Sequence, residues 1–269
     1  MTSVAIPRPA IHRAGWLTQT GQVLRRWLIV SMRQAWGPVM SLVQPVIWIV
    51  LFGQVFHSLG VLPQFGEAGY IDYLVPGILM MTVLYSGAWA GTGYIDDINS
   101  GVMDQYLTSP ISRSAIITGQ LVQQLVVGLA QSLVVLGIGA LAGARYSAGT
   151  GGMLVALGVA TVLAAIFCCA STAVALISRN QIALISLSQL IVLPATFLST
   201  TMMPAALMPE WVQQISRGNP MTWAVELGRA GLGGSYPEAA WWQLGGLVLL
   251  AALAFTWAVR SLRAYQRSI

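Results

Sequence analysis

Long apolar segments, separated by short polar ones, restrict the folds that this chain can adopt. Of its 269 residues, 56% are hydrophobic and only 8% are charged, whereas about 25% of residues are charged in soluble domains. A soluble domain of this size needs polar side chains to cover its surface, and this chain has too few of them. The composition therefore predicts an all-α integral membrane protein with lipid as the solvent for most of the chain.

A helix of about 20 mostly apolar residues is long enough to cross the hydrocarbon core of a bilayer. Pro194 lies inside one of the candidates and is expected to kink it, because proline cannot donate the helical hydrogen bond. The spans divide the chain into a cytoplasmic N-terminus at 1–37, a membrane domain at 38–260 and a cytoplasmic tail at 261–269. Six segments qualify as spans, at about 38–58, 73–94, 115–142, 152–177, 181–202 and 240–260.

The distribution of arginine predicts the side of the membrane on which each loop lies. All thirteen basic residues are arginines, and loops rich in arginine face the cytoplasm. With a cytoplasmic N-terminus, only Arg145, Arg217 and Arg229 lie outside. Both termini and the loop between the second and third spans are then predicted to be cytoplasmic. The arginines on that side are Arg8, Arg13, Arg25, Arg26, Arg33, Arg113, Arg179, Arg260, Arg263 and Arg267.

Residues 16–34 have the pattern of a different kind of helix. Five polar side chains fall within one arc of about 120° on a helical wheel, and they are Gln19, Gln22, Arg25, Arg26 and Arg33. Most apolar side chains lie opposite. This pattern predicts an amphipathic helix in the cytoplasmic membrane interface, with its arginines toward lipid headgroups and water. The alternative is a helix packed against a soluble domain, which the sequence does not contain.

The absence of certain residues excludes several classes of function. The cores of the six spans contain no Asp, Glu, Lys, Arg or His, and both histidines, His12 and His57, lie outside them. Ion-coupled transporters usually carry an ionisable residue in the membrane, and membrane proteases need a nucleophile with a base or a metal. The chain also has no lysine for a phosphate-binding loop. No catalytic residue, metal site or nucleic-acid partner is predicted, so energy for uphill transport must come from another polypeptide.

The loop between the second and third spans is the one cytoplasmic loop long enough to be structured. It carries Asp96 and Asp97, then Gly101 as a helix breaker, and then the segment DQYLTSP. This segment can form a short helix along the membrane surface, on which Tyr106 and Leu107 offer apolar contact to a partner protein. The alternative is an acidic, solvated loop, which is what composition alone favours.

The same loop resembles a motif of the type-2 ABC exporter permeases, the group that includes daunorubicin and multidrug exporters. In that family an acidic stretch, a glycine and L-x-x-[ST]-P-[IV]-[ST]-R precede the third span, and here Gly101 is followed by DQYLTSPISR at 104–113. The family often has a Glu-Arg-Glu-like cluster before the glycine, whereas IDDINSG here keeps the acid and lacks the basic residue. Residues 207–234 resemble a second motif, P-x-W…N-P…R, at Pro209, Trp211, Asn219, Pro220 and Arg229.

The resemblance implies a permease subunit of an ATP-driven exporter in a bacterial plasma (inner) membrane. A second permease subunit, identical or different, would pair with it, and two ABC ATP-binding subunits would carry the ATP and magnesium, so this chain itself needs no cofactor. Residues 96–112 would form a coupling helix on the ATPase, beside the N-terminal helix, and residues 207–229 two short helices in the outer leaflet. The ATPase-coupling residues would be Asp104, Gln105, Tyr106, Leu107, Thr108, Ser109, Pro110, Arg25 and Arg26.

The cargo predicted from the residues is a hydrophobic or amphiphilic molecule such as a drug, an antibiotic or a lipid, because the spans contain no charge to bind an ion. Gln120, Gln124 and Gln131 fall within about 40° on a wheel. They either line the cargo route or form interhelical hydrogen bonds, and the second reading is favoured because most membrane glutamines do this. Trp211 and Trp223 are assigned to the route at the outer leaflet. The alternatives are a lipid-linked glycan exporter permease, an integral-membrane lipid-modifying enzyme or a passive scaffold.

Overall fold

The computed structural model describes residues 15–34, 36–55 and 69–267, apart from the side chain of Pro38. Within these ranges the chain forms eleven α-helices and no β-strand, which confirms the all-α prediction. The helices are α1 (Trp16–Arg33), α2 (Trp36–Val55), α3 (Tyr70–Trp89), α4 (Thr92–Asn99), α5 (Val102–Thr108), α6 (Arg113–Leu141), α7 (Gly149–Ser178), α8 (Gln181–Phe197), α9 (Glu210–Arg217), α10 (Pro220–Gly233) and α11 (Ala240–Arg267).

Four helical segments of the described chain are long and apolar enough to cross a bilayer, and two apolar helices are shorter. The long ones are Tyr70–Asn99, Arg113–Leu141, Gly149–Ser178 and Ala240–Arg267, and the short ones are Val39–Val55 and Gln181–Phe197. The chain is therefore a multi-pass membrane protein. Arg8, His12, Arg13 and His57, together with the end of the first predicted span at 56–58, lie outside the described residues.

Three of the predicted span boundaries differ from the structure. The segment predicted at 73–94 is divided, because α3 ends at Trp89 and α4 begins at Thr92. The segment predicted at 181–202 continues through Pro194 as a helix but ends at Phe197, where the backbone N–H of Leu198 donates to the Pro194 carbonyl. Residues 261–267, predicted to be a tail, continue α11.

The core is built on α3 and α7, which touch at a glycine near the end of α3 and at a second glycine just before α4. An added Cβ at Gly87 would lie 2.9 Å from the Ala164 carbonyl oxygen, and one at Gly91 would lie 2.5 Å from that of Ser171. Only a residue without a side chain allows so close an approach. Cys168 and Cys169 of α7 are buried free thiols.

Contacts near the helix ends show that these ends form two groups, one at each end of the bundle. At one end, called the α5 end, α1 reaches the start of α6, and the start of α6 reaches the end of α11. The indole of Trp16 donates to Ser114 Oγ over 3.0 Å, and Arg113 Nε donates to Gln266 Oε1 over 2.6 Å. The segment between α7 and α8 joins this group through Arg179, which lies over the ring of Tyr265 at the end of α11.

At the opposite end, called the α10 end, the starts of α3 and α7 meet α10. The backbone N–H of Arg145 donates to Asp72 Oδ1 over 2.7 Å, and Ser147 Oγ donates to the Gly233 carbonyl over 3.0 Å. The two groups match the two sides assigned from arginine content, with the few outer arginines at the α10 end.

Candidate coupling site at the α5 end

Two short helices, α4 and α5, are separated by a sharp change of backbone direction at Gly101. This residue has φ of 72°, in the left-handed region that glycine adopts without a steric penalty. Helix α5 begins directly after it, at Val102, and ends at Thr108, where Ser109 becomes extended. The short helix predicted within DQYLTSP is thus present, but the single element predicted over 96–112 is divided between α4, α5 and a turn.

The predicted coupling residues on this segment differ in exposure. Asp104, Gln105, Thr108 and Pro110 are exposed, whereas Tyr106, Leu107 and Ser109 are partly buried. Tyr106 and Leu107 pack against an apolar cluster that includes Met103. They were predicted to offer apolar contact to a partner protein. Part of their apolar surface packs on the bundle and holds α5 there, and their contact with a partner stays a prediction. The face that remains open to a partner is polar.

A buried ion pair joins α1 to this segment. Both guanidinium ends of Arg26 donate to the Asp97 carboxylate, one of them over 2.7 Å, and Nη1 also donates to the Tyr106 hydroxyl over 2.9 Å. The hydrogen bonds to Asp97 raise the pKa of Arg26 above its ordinary value. The loop lacks the basic residue of the family motif, and Arg26 of α1 supplies a positive charge beside its acidic stretch. The sequence named both partners but gave no signal of their pairing.

Helix α1 has three faces, where the sequence predicted two. One face packs on α6 and α4 and buries Gln19, Thr20, Val23 and Trp27. A second face is apolar, with Leu17 and Met32 exposed and Leu24 and Leu28 partly buried. A third is exposed and mostly polar, with Gln22, Arg25 and Arg33. The arginines were predicted to face headgroups and water, and Arg25 does so, whereas Arg26 and Gln19 of the same polar arc bond to protein groups.

Specific contacts fix the packed face of α1. Gln19 Oε1 accepts the backbone N–H of Ser112 over 2.8 Å, at the turn that leads into α6. The ring of Trp27 covers Gly93 so closely that an added Cβ there would lie 2.7 Å from it. Helix α1 is thus attached to the start of α6, to α4 and to α5 at once, which makes these elements one structural unit.

The three glutamines of α6 are buried and hydrogen bonded between helices. Gln120 donates to the Ala90 carbonyl over 2.8 Å, Gln124 to Ser86 Oγ over 2.7 Å and Gln131 to Ser41 Oγ over 2.6 Å. These bonds are of the interhelical kind that the sequence analysis preferred. A role in the cargo route stays a prediction.

A cleft between α2 and α3 was not found from the sequence. It is lined by the rings of Trp48, Tyr85 and Trp89, and by apolar and uncharged polar residues, namely Ser41, Gln44, Pro45, Ile78, Met81, Thr82 and Ser86. Ser41 and Ser86 are the hydroxyls that accept from α6, so the glutamine stripe lies behind the cleft. The apolar runs of α2 and α3 carry no periodic polar signal that would have identified this surface.

At the α10 end, Asn219 and Arg229 bind backbone carbonyls of the segment that follows α8. Asn219 caps α10 by accepting the N–H of Met221, and its amide donates to the Ala195 and Leu198 carbonyls over 2.7 and 3.1 Å. Arg229 donates to the carbonyls of Tyr73, Thr200 and Thr201.

The two tryptophans assigned to the outer part of the route have different surroundings. Trp211 of α9 is 60% exposed. Trp223 of α10 is partly buried, where its indole donates to the Arg217 carbonyl over 2.7 Å and its ring meets that of Trp242 edge-on at 5.1 Å. The two short helices predicted here are present, and Asn219 separates them.

Comparison with known proteins identifies the kind of protein to which this architecture belongs. Residues 18–232 match the family model for the ABC-2 type transporter. The chain is 26% identical to the daunorubicin resistance ABC transporter permease protein DrrB1 of Streptomyces coeruleorubidus, over 82% of this chain and 77% of that protein. It is 23% identical to the probable doxorubicin resistance ABC transporter permease protein DrrC of Mycobacterium tuberculosis, over 94% and 88%. It is also 25% identical to the putative transport permease ycf38 of Porphyra purpurea, over 81% and 75%.

The chain belongs to the ABC-2 type transporter family. It is a transmembrane permease subunit of an ABC exporter, and this confirms the resemblance described from its two motifs. Membership of the family implies an ABC ATP-binding partner and the pairing of permeases.

Proposed function

We propose that this chain exports a hydrophobic or amphiphilic molecule, such as a drug, an antibiotic or a lipid, through a pair of permease subunits driven by two ATP-binding subunits. In this proposal α2, α3 with α4, α6, α7, α8 and α11 cross a bacterial plasma membrane, with both termini in the cytoplasm. ATP and magnesium lie on the ATP-binding subunits, and this chain binds no cofactor.

The observation that carries the cargo proposal is the cleft between α2 and α3. Its lining combines large aromatic rings with hydroxyl and amide groups, and no lining residue is charged. Such a surface suits an amphiphile with an aromatic or aliphatic body and a few polar groups. The names of the daunorubicin and doxorubicin resistance relatives support the same class of cargo.

The α5 end supports the docking of an ATPase. Helix α5 presents Asp104, Gln105 and Thr108 outward. Arg26 of α1 donates to the Tyr106 hydroxyl of α5 and pairs with Asp97 of the preceding helix α4. A push on α5 is therefore transmitted to α1 and through it to α6, because α1 is hydrogen bonded to both α5 and α6. In this proposal the coupling residues predicted from the sequence form two groups. The exposed ones contact the ATPase, and the partly buried ones hold α5 on the bundle.

The test uses the complex of this permease with its ATPase, reconstituted in lipid, with doxorubicin as the probe. We expect doxorubicin to stimulate ATP hydrolysis, and Trp89→Ala to raise the concentration needed for half-maximal stimulation about tenfold, as loss of one aromatic contact predicts. Trp241→Ala is the matched control, because Trp241 is 83% exposed and lies outside the cleft.

Three results would contradict the proposal. They are stimulation by a hydrophilic sugar alone, an equal response of the two tryptophan variants to doxorubicin, and ATP hydrolysis by the permease without its partner.

A further inference from the structure

The last two turns of α11 carry three arginines that no contact within the described chain uses. Arg260, Arg263 and Arg267 are exposed, and none of them forms a side-chain hydrogen bond or ion pair with any residue in the described ranges. Other arginines of the α5 end behave differently, since Arg26 and Arg113 both donate to protein groups. The three on α11 are therefore available to a ligand outside the chain.

The helical continuation of α11 sets the geometry of this arginine stripe. The three side chains fall within about 60° of one another on a helical wheel, and they border a shallow depression together with Ala264. Arg260 and Arg267 are two turns apart, which is about 10 Å along the axis. Because residues 261–267 are helical, the three charges have a common direction.

The arginine stripe continues an apolar stripe on the same face of α11. Leu249 and Leu253 are 60% and 56% exposed and lie in line with Arg260. Trp257 lies between the leucines and the arginines and is 43% exposed. In a membrane protein an exposed apolar face with tryptophan at its end contacts lipid and reaches the interface at the tryptophan. The arginines thus begin where the headgroup layer begins.

The stripe also points away from the proposed ATPase contact. Met103 of α5 and Tyr265 belong to one buried apolar cluster, and Tyr265 is on the buried side of α11, 6% exposed. The arginine stripe is on the opposite side of the same helix turn. Among the possible anionic partners, lipid therefore fits this face better than an acidic protein surface docked at α5.

We propose that Arg260, Arg263 and Arg267 form a binding site for the phosphate groups of anionic phospholipids. These lie in the leaflet at the α5 end, which is the cytoplasmic leaflet in the orientation proposed above. Guanidinium groups form forked, charge-assisted hydrogen bonds with phosphate oxygens, and a cluster of basic residues at a membrane surface favours anionic over zwitterionic lipid. The site does not depend on the identity of the cargo or on the direction of transport.

The experiment measures lipid binding to the purified full-length chain in detergent by native mass spectrometry. The probes are dioleoylphosphatidylglycerol and dioleoylphosphatidylcholine. We expect Arg260→Gln/Arg263→Gln to lose about tenfold in phosphatidylglycerol affinity, since each basic residue near the surface contributes to the attraction. Phosphatidylcholine binding and the thermal unfolding midpoint stay unchanged.

Two further variants keep the result interpretable. Arg145→Gln/Arg217→Gln removes the same charge from exposed positions near the α10 end and is expected to leave phosphatidylglycerol affinity within about twofold of the original. Arg260→Lys/Arg263→Lys keeps the charge and should retain most of the affinity. Equal losses in the two glutamine variants would refute a defined site. Unchanged phosphatidylglycerol binding in Arg260→Gln/Arg263→Gln, with loss of the copurifying ATPase, would assign the stripe to a protein partner instead.

Discussion

At the scale of single residues, Arg26 and Asp97 connect two elements that are distant in the sequence. The Asp97 side chain is 7% exposed and that of Arg26 is 31% exposed. The Asp97 carboxylate has less contact with water, so the stability of its charge depends more on its partner than that of the guanidinium does. Loss of one partner from a buried ion pair costs about 3–5 kcal/mol, because a charge is left buried without compensation. Partial exposure of Arg26 reduces this figure.

We expect Arg26→Gln to lower the free energy of unfolding by about 2 kcal/mol. In a chain of this size that corresponds to a fall of about 5 °C in the thermal unfolding midpoint. The same variant should uncouple ATP hydrolysis from cargo stimulation in the assembled complex, because α5 loses its attachment to α1. Thermal unfolding in detergent and the ATPase assay described above measure the two effects.

The neighbouring Arg25 provides the control for this prediction. It is exposed and its side chain forms no hydrogen bond or ion pair with a described residue, so Arg25→Gln should leave the midpoint within about 1 °C. Arg26→Gln/Asp97→Asn should recover part of the lost stability, because no unpaired carboxylate remains. Identical midpoints for the Arg25 and Arg26 variants would show that the pair does not hold α5.

Arg229 illustrates a second way of accommodating a charged side chain. Its guanidinium lies against the face of the Tyr73 ring, 3.4 Å from the centroid, and donates to three backbone carbonyls, including those of Thr200 and Thr201. Glu226, three residues earlier, accepts from Gln243 over 2.8 Å. The spacing of Glu226 and Arg229 suggests an ion pair between them. Arg229 instead donates to carbonyls of the segment after α8, which no helical N–H satisfies.

At the scale of elements, α5 is a short helix with one packed side and one open side. Its packed side contains Met103, with Tyr106 and Leu107 at the margin. Its open side contains Asp104, Gln105 and Thr108. A variant at the packed side therefore tests folding and docking together, whereas one at the open side tests docking alone.

We expect Gln105→Trp to reduce the amount of ATPase that copurifies with the permease about tenfold, because a large side chain at the centre of a contact disrupts its fit. The thermal unfolding midpoint of the permease should not change. Leu107→Asp should lower both the amount of copurifying ATPase and the thermal unfolding midpoint, since it places a charge against the apolar cluster.

Gln181→Trp is the matched control for α5. Gln181 is also exposed and begins α8 at the same end of the bundle, and its substitution should leave copurification unchanged if docking is centred on α5. Full retention of the ATPase by Gln105→Trp would remove α5 from the proposed docking surface.

At the scale of the whole molecule, the two groups of loops define an orientation that can be measured. The α5 end carries most of the described arginines, and the α10 end carries Arg145, Arg217 and Arg229. Because arginine-rich loops remain in the cytoplasm, the α5 end is the cytoplasmic end in the proposed orientation.

Single cysteines at exposed positions test this orientation. We expect Gln105→Cys and Arg267→Cys to react with an impermeant maleimide only from the cytoplasmic side, and Gln214→Cys only from outside, because all three positions are exposed. Cys168 and Cys169 are first changed to Ala, which suits their buried apolar surroundings better than Ser. Labelling of Gln105→Cys from outside would reverse the topology and remove the basis for docking at α5.

The sequence by itself determined the class of the protein, because features of composition and spacing do not require a tertiary structure. Apolar runs of spanning length predicted a membrane protein, and the absence of lysine excluded a phosphate-binding loop. The Gly101 and Asn219-Pro220 motifs led to the right family. Local breaks such as that at Gly101 were also predictable, since the conformational freedom of glycine is a property of the residue alone.

Only the tertiary structure decided which side of each helix meets protein, lipid or water. A helical wheel sorts residues by polarity, but Gln19 and Arg26 are polar and nevertheless face the bundle, since partners on α4 and on the turn before α6 satisfy them. Leu107 is apolar, and part of its surface packs on the same bundle. The cleft at Trp48, Tyr85 and Trp89 likewise exists only because α2 and α3 come together. Hydrogen bonds and packing between segments distant in the sequence determine which side of a helix is buried. The order of polar and apolar residues along the chain does not contain that information.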